Sequence, residues 1–85
     1  MKTFTYTIQD EIGIHARPAG LLVKAAKGYE SEITLTCKGK KASAAKLMAV
    51  MGMGVKCGDE VTVTVEGADE TAAAKGMEEF FNSNL

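Results

Sequence analysis

The stretch KTFTYTIQDEIGIHARPAG, residues 2–20, changes its hydrophobic period once, and that change sets the fold. Phe4, Tyr6 and Ile8 alternate with Thr3, Thr5 and Thr7, the period of a half-buried strand. Beyond a short connection from Asp10 to Gly13, Leu22, Ala25, Ala26 and Tyr29 recur at helical spacing. A helix is therefore predicted over roughly Ala16 to Lys27, ending at Gly28, with Lys24 and Lys27 suiting the negative end of its dipole. Pro18 then falls in the first turn, where a missing N–H costs nothing because that turn has no intrahelical acceptors.

The rest of the chain repeats the same two periods. Ile33, Leu35 and Cys37 alternate with Glu32, Thr34 and Thr36; Lys38-Gly39-Lys40 reads as a hairpin turn into a short strand near Lys40–Ala42. Val61, Val63 and Val65 alternate with Thr62 and Thr64 between Glu60 and Glu66. Asp69 is expected to cap a final helix that buries Ala73, Met77, Phe80 and Phe81 and turns Lys75, Glu78 and Glu79 to water. Apolar-in, threonine-out strands predict an antiparallel sheet solvated on one side, so the helices must cover the other. The expected architecture is α+β, an open-faced β-sandwich in the order β-α-β-β-α-β-α. It has a four-stranded antiparallel sheet with helices on one face and fills one domain, residues 1–85.

Lys46 to Gly54 has room only for a helix of about two turns closed by glycine. Leu47, Met48, Val50, Met51 and Met53 are apolar nearly all round it, more than one buried face absorbs. Val50 and Met53 are expected in the core. Leu47, Met48 and Met51 are expected to form an adaptable docking patch, because thioethers repack readily against different partners.

Composition narrows the function classes. The apolar fraction of 46% belongs to a folded protein, and no apolar run approaches the roughly 20 residues that span a bilayer. The alternating amino terminus lacks the apolar core of a signal peptide, so a cytoplasmic protein is expected. Cys37 is expected in the core and Cys57 in an exposed turn; with one histidine they make no zinc site, and a cytosolic chain argues against a disulfide. Net charge is −1, yet residues 1–42 hold seven Lys/Arg against four Asp/Glu and residues 43–85 hold three against seven. Scattered lysines are commonly just a solvated face; a local positive side would suit an acidic partner. Exposed aromatics for base stacking are absent from the threonine-rich strand faces, which argues against nucleic acid.

The chemistry concentrates at Gly13-Ile14-His15-Ala16-Arg17-Pro18-Ala19, which contains the chain's only histidine, arginine and proline. A lone histidine is often an ordinary surface or core residue. Here it stands where a helix cap belongs, although histidine is not a preferred cap. The free N–H groups of Ala16 and Arg17, the positive end of the dipole and the Arg17 guanidinium together suit a dianionic group. That makes His15 a candidate phosphorylatable imidazole.

Those seven residues, with Ser31 to Leu35, Leu47 to Gly54 and Glu66 to Glu70, resemble HPr, the histidine-containing phosphocarrier family of the bacterial phosphoenolpyruvate-dependent sugar phosphotransferase system. The likeness spans essentially the whole chain. It implies that His15 accepts a phosphoryl group on Nδ1 from enzyme I and passes it to IIA domains of sugar transporters. It also implies that Arg17 neutralises phosphate charge and that no cofactor or metal is needed. Enzyme I and IIA domains are expected to dock on Leu47, Met48 and Met51 together with Gly20, Lys24 and Lys27, the carrier acting as a monomer. Two positions depart from the family. Lys46 stands where many relatives carry a serine phosphorylated by a kinase, and Ile12 replaces a small polar residue near the histidine. In a paralogue serving a dedicated or regulatory phosphorelay, loss of the serine would matter less. A regulatory binding module without phosphotransfer would need neither His15 nor Arg17.

Overall fold

Seven elements follow in the computed structural model, which describes residues 1–85: β1 (Lys2–Thr7), α1 (Ala16–Lys27), β2 (Glu32–Cys37), β3 (Lys40–Ser43), α2 (Leu47–Gly52), β4 (Glu60–Glu66) and α3 (Glu70–Asn84). The order is the expected one. The strands form one antiparallel sheet in the spatial order β1-β4-β2-β3, with β1 and β3 at its edges. In this register Thr3 and Thr34 flank Thr64, and Thr5 and Thr36 flank Thr62, so the threonines share the open face. Ile33, Leu35, Cys37, Val61, Val63 and Val65 are buried beneath the helices.

The β2–β3 hairpin closes through Lys38 and Gly39, at φ 51° and 80°. Two left-handed residues match the right-handed twist of the flanking strands. Lys38 also reaches Asp59 Oδ1 at 3.1 Å, fastening the hairpin to the turn before β4.

Helix α3 packs on β1 and β4, α2 packs beside β3, and α1 lies between α2 and α3. Leu22 of α1, Val50 of α2 and Met77 and Phe81 of α3 are completely covered. Phe81 meets Phe4, Tyr6 and Phe80 edge to face at centroid distances of 5.9, 5.5 and 6.2 Å, which is the favoured aromatic geometry. Across α3, Tyr29 occupies the space any side chain at Gly76 would need. Cys37 is buried and Cys57 exposed, both as free thiols, and burial pushes the Cys37 thiol pKa up.

Asp69 is the N-cap of α3 as expected, its carbonyl accepting the Ala73 N–H at 2.9 Å, but its carboxylate makes no cap bond to its own helix. It accepts hydrogen bonds from Glu30 N–H at 2.9 Å, Ser31 N–H at 2.8 Å and the Ser31 hydroxyl. Three converging donors at the start of β2 outcompete the local N–H groups of α3. At α3 itself Gly67 N–H donates to Glu70, whose other oxygen pairs with the Met1 ammonium.

These bonds define the acid response. Hydrogen bonds, the Ser31 hydroxyl first, hold the Asp69 carboxyl below its usual pKa, as the amino terminus does for Glu70 and the Lys56 N–H for Asp59. A carboxyl depressed in the folded state stabilises above its unfolded pKa of about 4, and that stabilisation is lost as pH falls toward the folded pKa. Thermal unfolding followed by circular dichroism is therefore expected to show a melting temperature that drops below about pH 4. Asp69→Asn should start lower at neutral pH and drop less on acidification. An equal acid drop in parent and variant would contradict the clamp.

Candidate functional site

His15 is the N-cap of α1, with extended backbone (φ −107°, ψ −173°) and its carbonyl accepting the Ala19 N–H at 2.9 Å. Its half-buried side chain caps nothing. Ahead of the helix, the N–H groups of Ala16 and Arg17 have no backbone acceptor, and Pro18 is buried in the first turn. Arg17 is exposed and makes neither a hydrogen bond nor an ion pair, so its guanidinium is at liberty to meet an anion.

The connection before His15 is pinned from three sides. The N–H groups of Gln9 and Asp10 donate to the Leu85 carbonyl at 2.6 and 2.8 Å. Ile12 N–H donates to Asp10 Oδ1 at 2.9 Å, and Gly13 N–H to the Asp10 carbonyl at 3.0 Å. Gly13 has φ +85°, and a Cβ there would run into the Val55 carbonyl and the Lys56 backbone, so only glycine fits. Ile14 N–H then donates to that same Val55 carbonyl at 3.0 Å. The imidazole is thus carried on a fixed backbone, an arrangement that favours alignment with a reacting partner.

A cleft of about 240 Å³ opens beside His15, lined by Asp10, Arg17, Pro18, Leu21, Ser83 and Asn84. Three of these, Asp10, Ser83 and Asn84, carry no local sequence signal, because the cleft forms only where the start of α1 meets the end of α3. Asp10 and the carbonyl end of α3 make that side of the imidazole electronegative, while the α1 start is electropositive. An anion beside the imidazole is favoured electrostatically on the Ala16 and Arg17 side. No group of His, Cys, Asp or Glu side chains stands close enough to hold a metal ion.

The apolar patch is where the periodicity placed it: Leu47, Met48 and Met51 are 40, 78 and 38% exposed, while Val50 and Met53 are buried. Lys46 caps α2 with extended backbone and no side-chain bond, as expected of a residue that is a poor cap. On α1, Gly20, Lys24 and Lys27 follow one another at i, i+4 and i+7, the spacing of one helix side. Lys24 also lines a groove of about 590 Å³ between α1 and α3 with Leu21, Tyr29 and Phe80.

A domain with a histidine at a free helix start, beside an unpaired arginine, on an open-faced sandwich, matches one class of proteins. A family model described as PTS HPr component phosphorylation site matches residues 2–83. The chain belongs to the PTS-HPr family of phosphotransferase-system phosphocarriers. It is similar to the histidine-containing phosphocarrier protein of Mycoplasma, with 33% identity, a TM-score of 0.94, and 96% of this chain and 93% of that one covered. It is also similar to HPr-C-His from Thermoanaerobacter tengcongensis, with 37% identity, a TM-score of 0.93, and 98% and 93% covered. The catabolite repression protein Crh of Bacillus subtilis, solved as a domain-swapped dimer, matches with 31% identity, a TM-score of 0.78, and 94% and 92% covered.

Proposed function

We propose that this protein shuttles phosphoryl groups on His15, accepting them from phospho-enzyme I and delivering them to IIA domains of sugar transporters. The reading gives it a cytoplasmic, monomeric working form; no helix is long and apolar enough to cross a membrane. The observation that carries it is the pinned His15 set before two unpartnered N–H groups and an unpaired Arg17.

In the accepting step the lone pair of the His15 Nδ1 attacks the phosphorus of the donor phosphohistidine. The donor P–N bond breaks, and its electrons return to the donor imidazole. Neutral histidine side chains are competent nucleophiles near pH 7, and no proton need cross between the two rings. Such a transfer needs mainly alignment and stabilisation of the equatorial oxygens. The fixed connection supplies the first, and the Ala16 and Arg17 N–H groups with the Arg17 guanidinium supply the second. Delivery to a IIA domain runs the same step in reverse.

Incubation with phosphoenolpyruvate and enzyme I, followed by a panel of IIA domains, tests the reading. Label should enter this chain and leave it to IIA domains; a chain that takes no label overturns the proposal. Arg17→Ala is expected to slow acceptance about 10²- to 10³-fold at unchanged melting temperature. Arg17→Lys should recover only part, since a point charge lacks the planar fork. A second reading, a carrier in a dedicated or regulatory phosphorelay, is favoured by the likeness to Crh. Transfer to one acceptor of the panel alone would support it.

A further inference from the structure

We propose that the Asp10 carboxylate sets how readily His15 releases its phosphoryl group, by repelling the dianion in the cleft that the two residues share. The proposal rests on the phosphocarrier reading above. Asp10 is half-buried and lines the cleft of about 240 Å³ together with His15 and Arg17. It makes no ion pair, and neither does Arg17. A carboxylate and a guanidinium thus border one small cleft without neutralising each other.

Asp10 is held in place along its whole length. Its N–H donates to the Leu85 carbonyl at 2.8 Å, its own carbonyl accepts the Gly13 N–H at 3.0 Å, and its Oδ1 accepts the Ile12 N–H at 2.9 Å. Its Oδ2 accepts no hydrogen bond from the protein, so a single backbone N–H is all that offsets the charge. The turn does not need that charge, because an asparagine makes the same bond to the residue two places on. Glu11, the next carboxylate along the chain, is exposed and does not line the cleft.

A carrier has to give up what it accepts. The Ala16 and Arg17 N–H groups, the helix dipole and the Arg17 guanidinium all favour phosphate on His15, and a site that did only this would hold the group and impede delivery. In delivery an acceptor imidazole nitrogen bonds to phosphorus, the P–Nδ1 bond breaks, and its electron pair returns to the His15 ring. The dianion leaves the field of Asp10 in the same step. Repulsion is thus incurred on acceptance and relieved on delivery. A unit charge about 8 Å from a dianion, in a cleft open to water, moves such an equilibrium roughly three- to tenfold.

The test measures the equilibrium of phosphoryl exchange between phospho-enzyme I and the carrier, read from intact masses after an alkaline quench, for the parent, Asp10→Asn, Asp10→Glu and Glu11→Gln. Asp10→Asn is expected to melt with the parent and to shift the equilibrium roughly three- to tenfold toward the phosphorylated carrier at low salt. In about 1 M salt that shift should fall below about twofold, because the charges are then screened. Asp10→Glu keeps the charge and Glu11→Gln removes one outside the cleft, so both should stay within about twofold of the parent. An Asp10→Asn equilibrium equal to the parent's overturns the inference. So does a shift that persists at high salt or is matched by Asp10→Glu, which would make Asp10 a turn residue only. A shift matched by Glu11→Gln overturns it as well, because net charge and not the cleft would then be responsible. A parent that takes no label from phospho-enzyme I overturns the phosphocarrier reading, whereas a labelled parent with an unmoved Asp10→Asn equilibrium overturns this inference alone.

Discussion

His15→Ala is expected to remain folded and to accept no phosphate at all from phosphoenolpyruvate and enzyme I. The side chain is half-buried and bonds nothing, so its removal should change stability by no more than about 0.5 kcal/mol. Chemically the loss is complete, because the variant has no imidazole, the chain having a single histidine. No second nucleophile is poised to substitute. Cys37 is buried, and Cys57 lies on the turn before Asp59, not at the start of α1. Intact-mass measurement at alkaline pH, before and after acid treatment, should show one acid-labile phosphate on the parent and none on the variant. Phosphate retained by His15→Ala would remove His15 from the site.

The largest expected effect on folding is at Phe81. It is wholly buried and sits at the junction of β1 and α3, with Phe4, Tyr6 and Phe80 edge-on around it. Phe81→Ala leaves a cavity that three partly exposed rings cannot close without giving up their own packing. A cost of about 3–5 kcal/mol follows. A domain of this size is stable by only about 5–15 kcal/mol, so much of the native population is at risk. Urea unfolding should show a midpoint displaced strongly downward with little change in slope. The consequence reaches His15, because α3 ends in Ser83 and Asn84, which line its cleft, and is followed by Leu85, whose carbonyl holds Gln9 and Asp10. Phe81→Ala should therefore slow phosphate acceptance at temperatures where the parent is unaffected. A loss below about 1 kcal/mol would show that the aromatic cluster is not central.

How far the sequence could be read follows from the range of each signal. Alternation in Phe4-Thr5-Tyr6 and in Val61 to Val65 is local and shows the strand faces directly. Pro18 shows a helix start just as directly. The spatial order β1-β4-β2-β3 depends on how strands distant in sequence pair, and no residue pattern states it. Asp69 misleads for a related reason: cap chemistry is a local rule, and the donors that captured its carboxylate are at Glu30 and Ser31, far along the chain. Of the site, His15, Ala16 and Arg17 were legible because they are neighbours on one turn. Asp10, Ser83 and Asn84 were not, since the cleft forms only when the two ends of the chain meet. At Ile12 the family resemblance registers only a missing polar group; that its backbone is pinned and its side chain exposed is visible in the fold alone.

The central claim is that His15 carries phosphate at an anion site formed by the first turn of α1. Phosphorus and amide ¹H–¹⁵N spectra of the uniformly ¹⁵N-labelled protein, recorded during phosphorylation by enzyme I, address it most directly. The account predicts a single phosphoramidate on Nδ1 of His15, with the Ala16 and Arg17 amides shifting most. A phosphoramidate on Nε2, a phosphate on another residue, or unmoved Ala16 and Arg17 amides would contradict it.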